Sequence, residues 1–98
     1  MSNNLMQGKT VIVTGANRGL GREMTRQLPA MGAKVIMACR SVEHAEQVKS
    51  ELEAEQKLAQ LVVMKLDLAN QQSIQEFAEL FTKQCDVLDV LINNAGVQ

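Results

Sequence analysis

Four short apolar runs punctuate the chain, and between them apolar residues return every three or four positions. The runs are Thr10-Val11-Ile12-Val13, Val35-Ile36-Met37-Ala38, Leu61-Val62-Val63-Met64 and Val90-Leu91-Ile92. Runs of this length without alternation predict strands covered on both faces, as in a parallel sheet. The intervening stretches predict helices. Leu20, Met24, Leu28 and Met31 mark one face of the first; Val42, Ala45, Val48 and Leu52 mark the second; Ile74, Phe77, Ala78 and Phe81 mark the third. Ser41 and Asn70 stand where N-caps are expected, and Gly32 suits the left-handed residue past a helix end. Pro29 removes one backbone hydrogen bond, and an interior proline costs about 3 kcal/mol. The first helix is therefore expected to bend or loosen from Thr25 onward.

Strand and helix alternate as βαβαβαβ, which predicts an α/β fold with helices on the faces of a parallel sheet. Right-handed crossovers leave few topologies, and the doubly wound strand order 3-2-1-4 is the natural one. Its ligand crevice lies beyond the C-terminal ends of strands 1 and 4, where the winding reverses. Gly15–Gly21 and Asn93–Gly96 fall at that crevice, and Asp67 falls on the same edge of the sheet.

The stretch Thr14-Gly15-Ala16-Asn17-Arg18-Gly19-Leu20-Gly21 joins the first strand to the first helix. A turn of this kind aims the free N–H groups of a helix start at one spot, where the helix dipole favours a phosphate. The spacing is Gly-x-x-x-Gly-x-Gly, which is neither the common G-x-G-x-x-G fingerprint nor a P-loop. A helix cap with close packing explains the glycines without a ligand, so the loop alone leaves both readings open.

The chain has 98 residues, enough for one small domain, and its net charge is −1. That balance gives no electrostatic case for nucleic acid or an anionic membrane, and two phenylalanines with no Tyr or Trp give no base-stacking platform. Residues 1–8 read as a polar tail and 9–98 as the domain. No apolar run is long enough for a membrane span or a signal-peptide core, and Cys39 and Cys85 show no metal spacing. Two free thiols imply a reducing compartment, so a cytoplasmic location is expected.

The second strand ends Ala38-Cys39-Arg40-Ser41, with no Asp or Glu at its tip. In dinucleotide sites an acid there bonds the ribose hydroxyls of NAD, whereas an arginine suits the 2′-phosphate of NADP. Arg40, with Arg18 in the loop, therefore points to NADP(H) over NAD(H), the alternative being two solvated surface charges. Asp67 can accept from the adenine amino group or cap the turn after strand three. Asn93 reads as a lock at the sheet end, while Asn94 and Gly96 are better placed beside a ribose. His44 reads as a bystander on the solvent side of the second helix, outside the crevice.

Together, Thr14–Gly21, Ala38-Cys39-Arg40, Asp67-Leu68 and Asn93-Asn94-Ala95-Gly96 make the chain from about Lys9 onward resemble the N-terminal half of a short-chain dehydrogenase/reductase, in the retinol-dehydrogenase and WW-domain oxidoreductase branch. The resemblance implies a Rossmann fold and hydride transfer between NADP(H) and an alcohol or carbonyl. It implies cofactor contacts from Gly15, Ala16, Asn17, Arg18, Gly19, Leu20 and Gly21 in the loop, from Arg40, from Asp67 and Leu68, and from Asn94, Ala95 and Gly96. Pro29 departs from the small helix former expected there. The family's catalytic Ser, Tyr-x-x-x-Lys pair and later Asn lie beyond the Asn93–Gly96 segment, and the chain contains no tyrosine. The expectation is cofactor-binding machinery without its chemistry, inactive alone. Two rivals remain. A bare fourth strand would invite pairing with a second copy, giving a homo-oligomer. A methyltransferase-like domain for S-adenosylmethionine shares the strand–loop–helix, but it usually wants an acid where Arg40 stands.

Overall fold

The computed structural model describes residues 5–94. Four parallel strands, β1 (Thr10–Thr14), β2 (Lys34–Cys39), β3 (Gln60–Lys65) and β4 (Val90–Ile92), form one sheet in the order β3-β2-β1-β4. The connecting helices are α1 (Gly19–Ala30), α2 (Val42–Glu55) and α3 (Gln71–Gln84). This is the expected half of a doubly wound Rossmann sheet. The strands extend the apolar runs by a residue or two, except β4, which matches its run.

The register sets the sheet's two cores. Val11, Val13, Val35, Met37, Cys39 and Leu61 pack under α1 and α2 with Ala45, Val48 and Leu52, whereas Ile12, Ile36, Ala38, Met64 and Leu66 lie under α3. Alternate residues of β1 and β2 thus supply opposite faces, and the two central strands are buried from Val11 and from Val35 onward. Four of these residues, Val11, Val13, Val35 and Met37, are fully buried on the α1/α2 face.

Val42, the first apolar marker of α2, is 37% exposed, so that stripe begins at Ala45; the helices hold three further departures from expectation. Leu20 is 63% exposed, because α1 meets the sheet through Gly21 and Thr25, with Met24 and Leu28 beside them. The periodicity misses this because it cannot see that a glycine and a threonine form the contact. Thr25 is buried and donates its hydroxyl proton to the Gly21 carbonyl at 2.7 Å, which makes it tolerable in a packed face. Second, α1 runs unbroken through Pro29 to Ala30 rather than loosening from Thr25. Proline falls in the last turn, and the helix then closes on a left-handed Gly32 (φ +94°), with bonds from Gly32 N to Pro29 O (3.0 Å) and Ala33 N to Leu28 O (3.2 Å). Third, α3 buries only Ser73; Phe77 and Phe81 are half-buried with ring centroids 6.4 Å apart, while Ile74 and Ala78 face solvent.

Ser41 and Asn70 cap their helices as expected, accepting from His44 N at 3.2 Å and from Ser73 N at 3.1 Å. Met6 packs on the α1/α2 core and its N–H donates to Met31 O at 2.8 Å, so part of the polar segment before Lys9 docks against the end of α1.

Leu52 and Leu20 separate packing from periodicity. Leu52→Ala should lower the unfolding free energy by about 2–5 kcal/mol, and Leu20→Ala should change it by less than about 0.5 kcal/mol. Urea denaturation followed by circular dichroism measures both; equal effects would contradict this account of α1.

Candidate functional site

The C-terminal ends of all four strands open into one cleft of about 680 Å³. Its wall is built from Thr14 at the end of β1 with Gly15, Asn17, Arg18, Gly19 and Leu20 after it, Ala38 and Cys39 at the end of β2 with Arg40 and Ser41 after it, Leu66, Asp67, Leu68 and Ala69 after β3, and Asn94 after β4. Nine of the thirteen expected site residues (Gly15, Asn17, Arg18, Gly19, Leu20, Arg40, Asp67, Leu68 and Asn94) are therefore brought together. Ala16 is fully buried beneath the loop, and Gly21 is buried behind it, so both shape the cleft without lining it. Ala95 and Gly96 lie outside the described residues.

The loop is fastened from several sides. Gly15 takes φ +61°, its N–H donates to Ala38 O at 2.9 Å, and Asn94 Nδ2 reaches its carbonyl at 3.5 Å. Gly21 permits the tightest approach. A Cβ there would lie 2.2 Å from the Gly15 carbonyl oxygen and 2.7 Å from Asn94 Nδ2. Beneath the loop, Cys39 is 2% exposed. Burial pushes its thiol above the ordinary value, partly opposed by the backbone N–H groups of Ala16 and Asn17 bonded to the sulfur. The result is a neutral structural thiol rather than a nucleophile.

The β1 and β4 ends are tied through Thr14. Its hydroxyl accepts from Asn94 N at 2.7 Å and lies 3.2 Å from Asn93 Oδ1 and 3.4 Å from Ile92 O. Asn93 thus has the sheet-end role expected of it. Asp67 Oδ1 accepts from Ala69 N at 3.0 Å, and Asp67 N donates to Ser73 Oγ at 2.9 Å, so the acid does cap the turn after β3.

Charge in the cleft is lopsided. Arg18 and Arg40 are exposed on its wall and make no ion pair among the described residues; Asp67 is the one acid lining it. Arg18 also occupies the N-cap of α1 without a side-chain cap bond, in contrast to Ser41 and Asn70. Amides at an uncapped helix start are free to meet an anion.

One neighbour of the loop was not expected. His44 is half-buried, and its Nδ1 lies 2.8 Å from Asn17 Nδ2. It is not a solvent-side bystander, because Ser41 starts α2 at the cleft and so puts His44 on the first turn beside the loop. Its distance of three residues from the cap was the available signal.

The family model for short chain dehydrogenase matches residues 9–98. Retinol dehydrogenase 12 of Mus musculus is 47% identical over 96 residues, covering 98% of this chain and 30% of that protein. A putative short chain dehydrogenase from Escherichia coli CFT073 superposes with a TM-score of 0.87 at 29% identity, over 96% of this chain and 42% of that one. The Pseudomonas aeruginosa RhlG/NADP active-site complex gives a TM-score of 0.83 at 25% identity, over 95% and 36%. The chain thus spans about 30% of the length of the curated relatives it matches.

Gly21→Ala should force α1 away from Gly15 and Asn94 and cost about 2–3 kcal/mol, in the range of overpacked sites. Thermal melting should show a clear fall in Tm. A melting temperature equal to wild type would mean that the approach of α1 is not what sets the loop.

Proposed function

Because the chain belongs to the short-chain dehydrogenase family, we propose that it binds the dinucleotide NADP(H) in preference to NAD(H), as the cofactor-binding part of an oxidoreductase. The observation that carries the preference is the pair of guanidiniums on the cleft wall, Arg18 and Arg40, which make no ion pair among the described residues, with no acid at the tip of β2. A guanidinium offers a planar fork of donors that suits a phosphate, and a carboxylate at that place would repel one.

The residues present fit the cofactor. The uncapped start of α1 with the amides of Arg18, Gly19 and Leu20 suits the pyrophosphate, and Gly15 and Asn17, whose own amides are engaged, shape the turn beneath it. Arg40, with Arg18, takes the 2′-phosphate. Asp67 has Oδ1 engaged by Ala69, which leaves Oδ2 to accept from the adenine amino group, with Leu68 beside it. Asn94 serves the ribose, together with Ala95 and Gly96. The bound nicotinamide would supply or accept a hydride from an alcohol or carbonyl. A proton donor for that step must come from residues other than a tyrosine of this chain, which has none. On this reading the 98 residues bind cofactor and turn nothing over by themselves. The relatives named as retinol dehydrogenases make a hydrophobic alcohol the substrate class for the longer proteins.

Isothermal titration tests the preference. NADPH should bind at least about tenfold more tightly than NADH, a difference of about 1.4 kcal/mol. Arg40→Ala should bring the two affinities together by weakening NADPH alone. Equal wild-type affinities, or binding of S-adenosylmethionine in place of NADPH, would overturn the reading.

A second reading is favoured by β4. It is an edge strand of three residues, Val90 and Ile92 turn into the α1/α2 core, and Leu91 is 57% exposed. An apolar edge with unpaired backbone groups is a template for strand addition. We infer a homo-oligomer joined along β4. Leu91→Lys should turn the oligomer into monomer in sedimentation velocity at about 50 µM, within the range where exposed edges associate. A monomeric wild type would dismiss this reading.

A further inference from the structure

We propose that His44 is a positioning residue that fixes the spacing between the two arginine-bearing segments of the cleft and so sets its selectivity for the 2′-phosphate. The proposal rests on the nucleotide reading above and adds to it a residue outside the cleft wall. Arg18 and Arg40 come from different elements. One is the N-cap of α1 and the other precedes the cap of α2. Two exposed guanidiniums with no ion pair among the described residues to hold them grip one phosphate only if the backbones carrying them keep a fixed separation.

Backbone ties from Gly15 to Ala38 and from Asn17 to Cys39 join the two segments at the sheet, and the side-chain contact that bridges them further out is the one between His44 and Asn17. His44 sits on the first turn of α2, three residues after the Ser41 cap whose hydroxyl accepts its N–H at 3.2 Å. Its ring leaves the helix towards the loop, where Nδ1 meets Asn17 Nδ2 at 2.8 Å. An amide nitrogen only donates, so Nδ1 accepts and the ring proton is on Nε2. Asn17 is 7% exposed and directly precedes Arg18. Removing the acceptor strands a buried amide donor at the residue that anchors Arg18, and the loop must shift to satisfy it. The loop backbone has its own ties, from Gly15 to Ala38 and Asn94 and from the amides of Ala16 and Asn17 to the Cys39 sulfur. The shift therefore falls on the side chains of Asn17 and Arg18 rather than on the backbone amides offered to the pyrophosphate.

Titrations of wild type, His44→Ala and His44→Asn with NADPH and NADH, with ¹⁵N spectra of the histidine ring, test this. His44→Ala should weaken NADPH about tenfold and NADH by less than about twofold. His44→Asn places an acceptor oxygen where Nδ1 stood and should restore NADPH to within about twofold of wild type. The wild-type ring should show an unprotonated Nδ1 and a protonated Nε2. Any one of four results would overturn the proposal: unchanged NADPH affinity in His44→Ala, equal weakening of both nucleotides, failure of the Asn variant to rescue, or a protonated Nδ1. Wild-type protein that binds neither nucleotide would instead remove the nucleotide reading itself, and this proposal with it.

Discussion

The structure depends on how closely the first helix approaches the turn that precedes it. Gly21 brings α1 against the Gly15 carbonyl at a distance no side chain could occupy. That approach lets Thr25 pack flat on the sheet and places the helix start over the strand ends. It also explains why Leu20 points away from the core. With Gly21 and Thr25 as the contact surface, the neighbouring position on the helix is turned to the cleft. One backbone contact thus sets both how α1 covers its face of the sheet and where its amide-rich end lies.

A second set of ties carries that arrangement across the sheet. Asn94, at the end of β4, donates its backbone N–H to Thr14 and extends its side chain to Gly15. The loop after β1 is therefore held from the neighbouring strand as well as from its own helix. On the other side, the Gly15 amide bonds to β2 and the Cys39 thiol receives two loop amides. The cleft floor is rigid because polar groups at three adjacent strand ends satisfy one another, which leaves the outer wall, with Arg18 and Arg40, for an incoming anion.

Much of this was legible in the sequence. Strand order, the edge of the sheet bearing the cleft, and the caps at Ser41 and Asn70 follow from apolar run length and the rules of parallel topology. Nine cleft residues were placed because motifs after β1, β2, β3 and β4 must converge at the winding reversal. What escaped the pattern is packing by residues that periodicity does not count. Gly21 and Thr25 are the inner face of α1, yet neither is an apolar marker. The α3 stripe buries less than its spacing implies for a related reason. One helix lies over the Ile12–Ile36–Met64 face, and it approaches that face through Ser73, Phe77 and Phe81 rather than along the whole of its apolar side. His44 escapes the pattern because helical phase alone does not reveal that the first turn of α2 abuts a loop from another element.

The charge pattern decides what kind of recognition the cleft can perform. The net charge of the chain is −1, so no long-range field draws an anion to the protein. On the proposed reading, selectivity would arise at contact distance, from the two arginines that find no carboxylate partner among the described residues. Other surface charges do find partners: Arg22 pairs with Glu51 between α1 and α2 at 3.1 Å, and Arg26 with Glu23 along α1. Those pairs lie on the helices, away from the cleft wall. An arginine at the cleft wall that was already paired would have to break that bond before meeting a phosphate. Arg18 and Arg40, unpaired among the described residues, keep their donors available, and on the proposed reading holding the segments that bear them at a fixed separation would be the remaining requirement for discrimination.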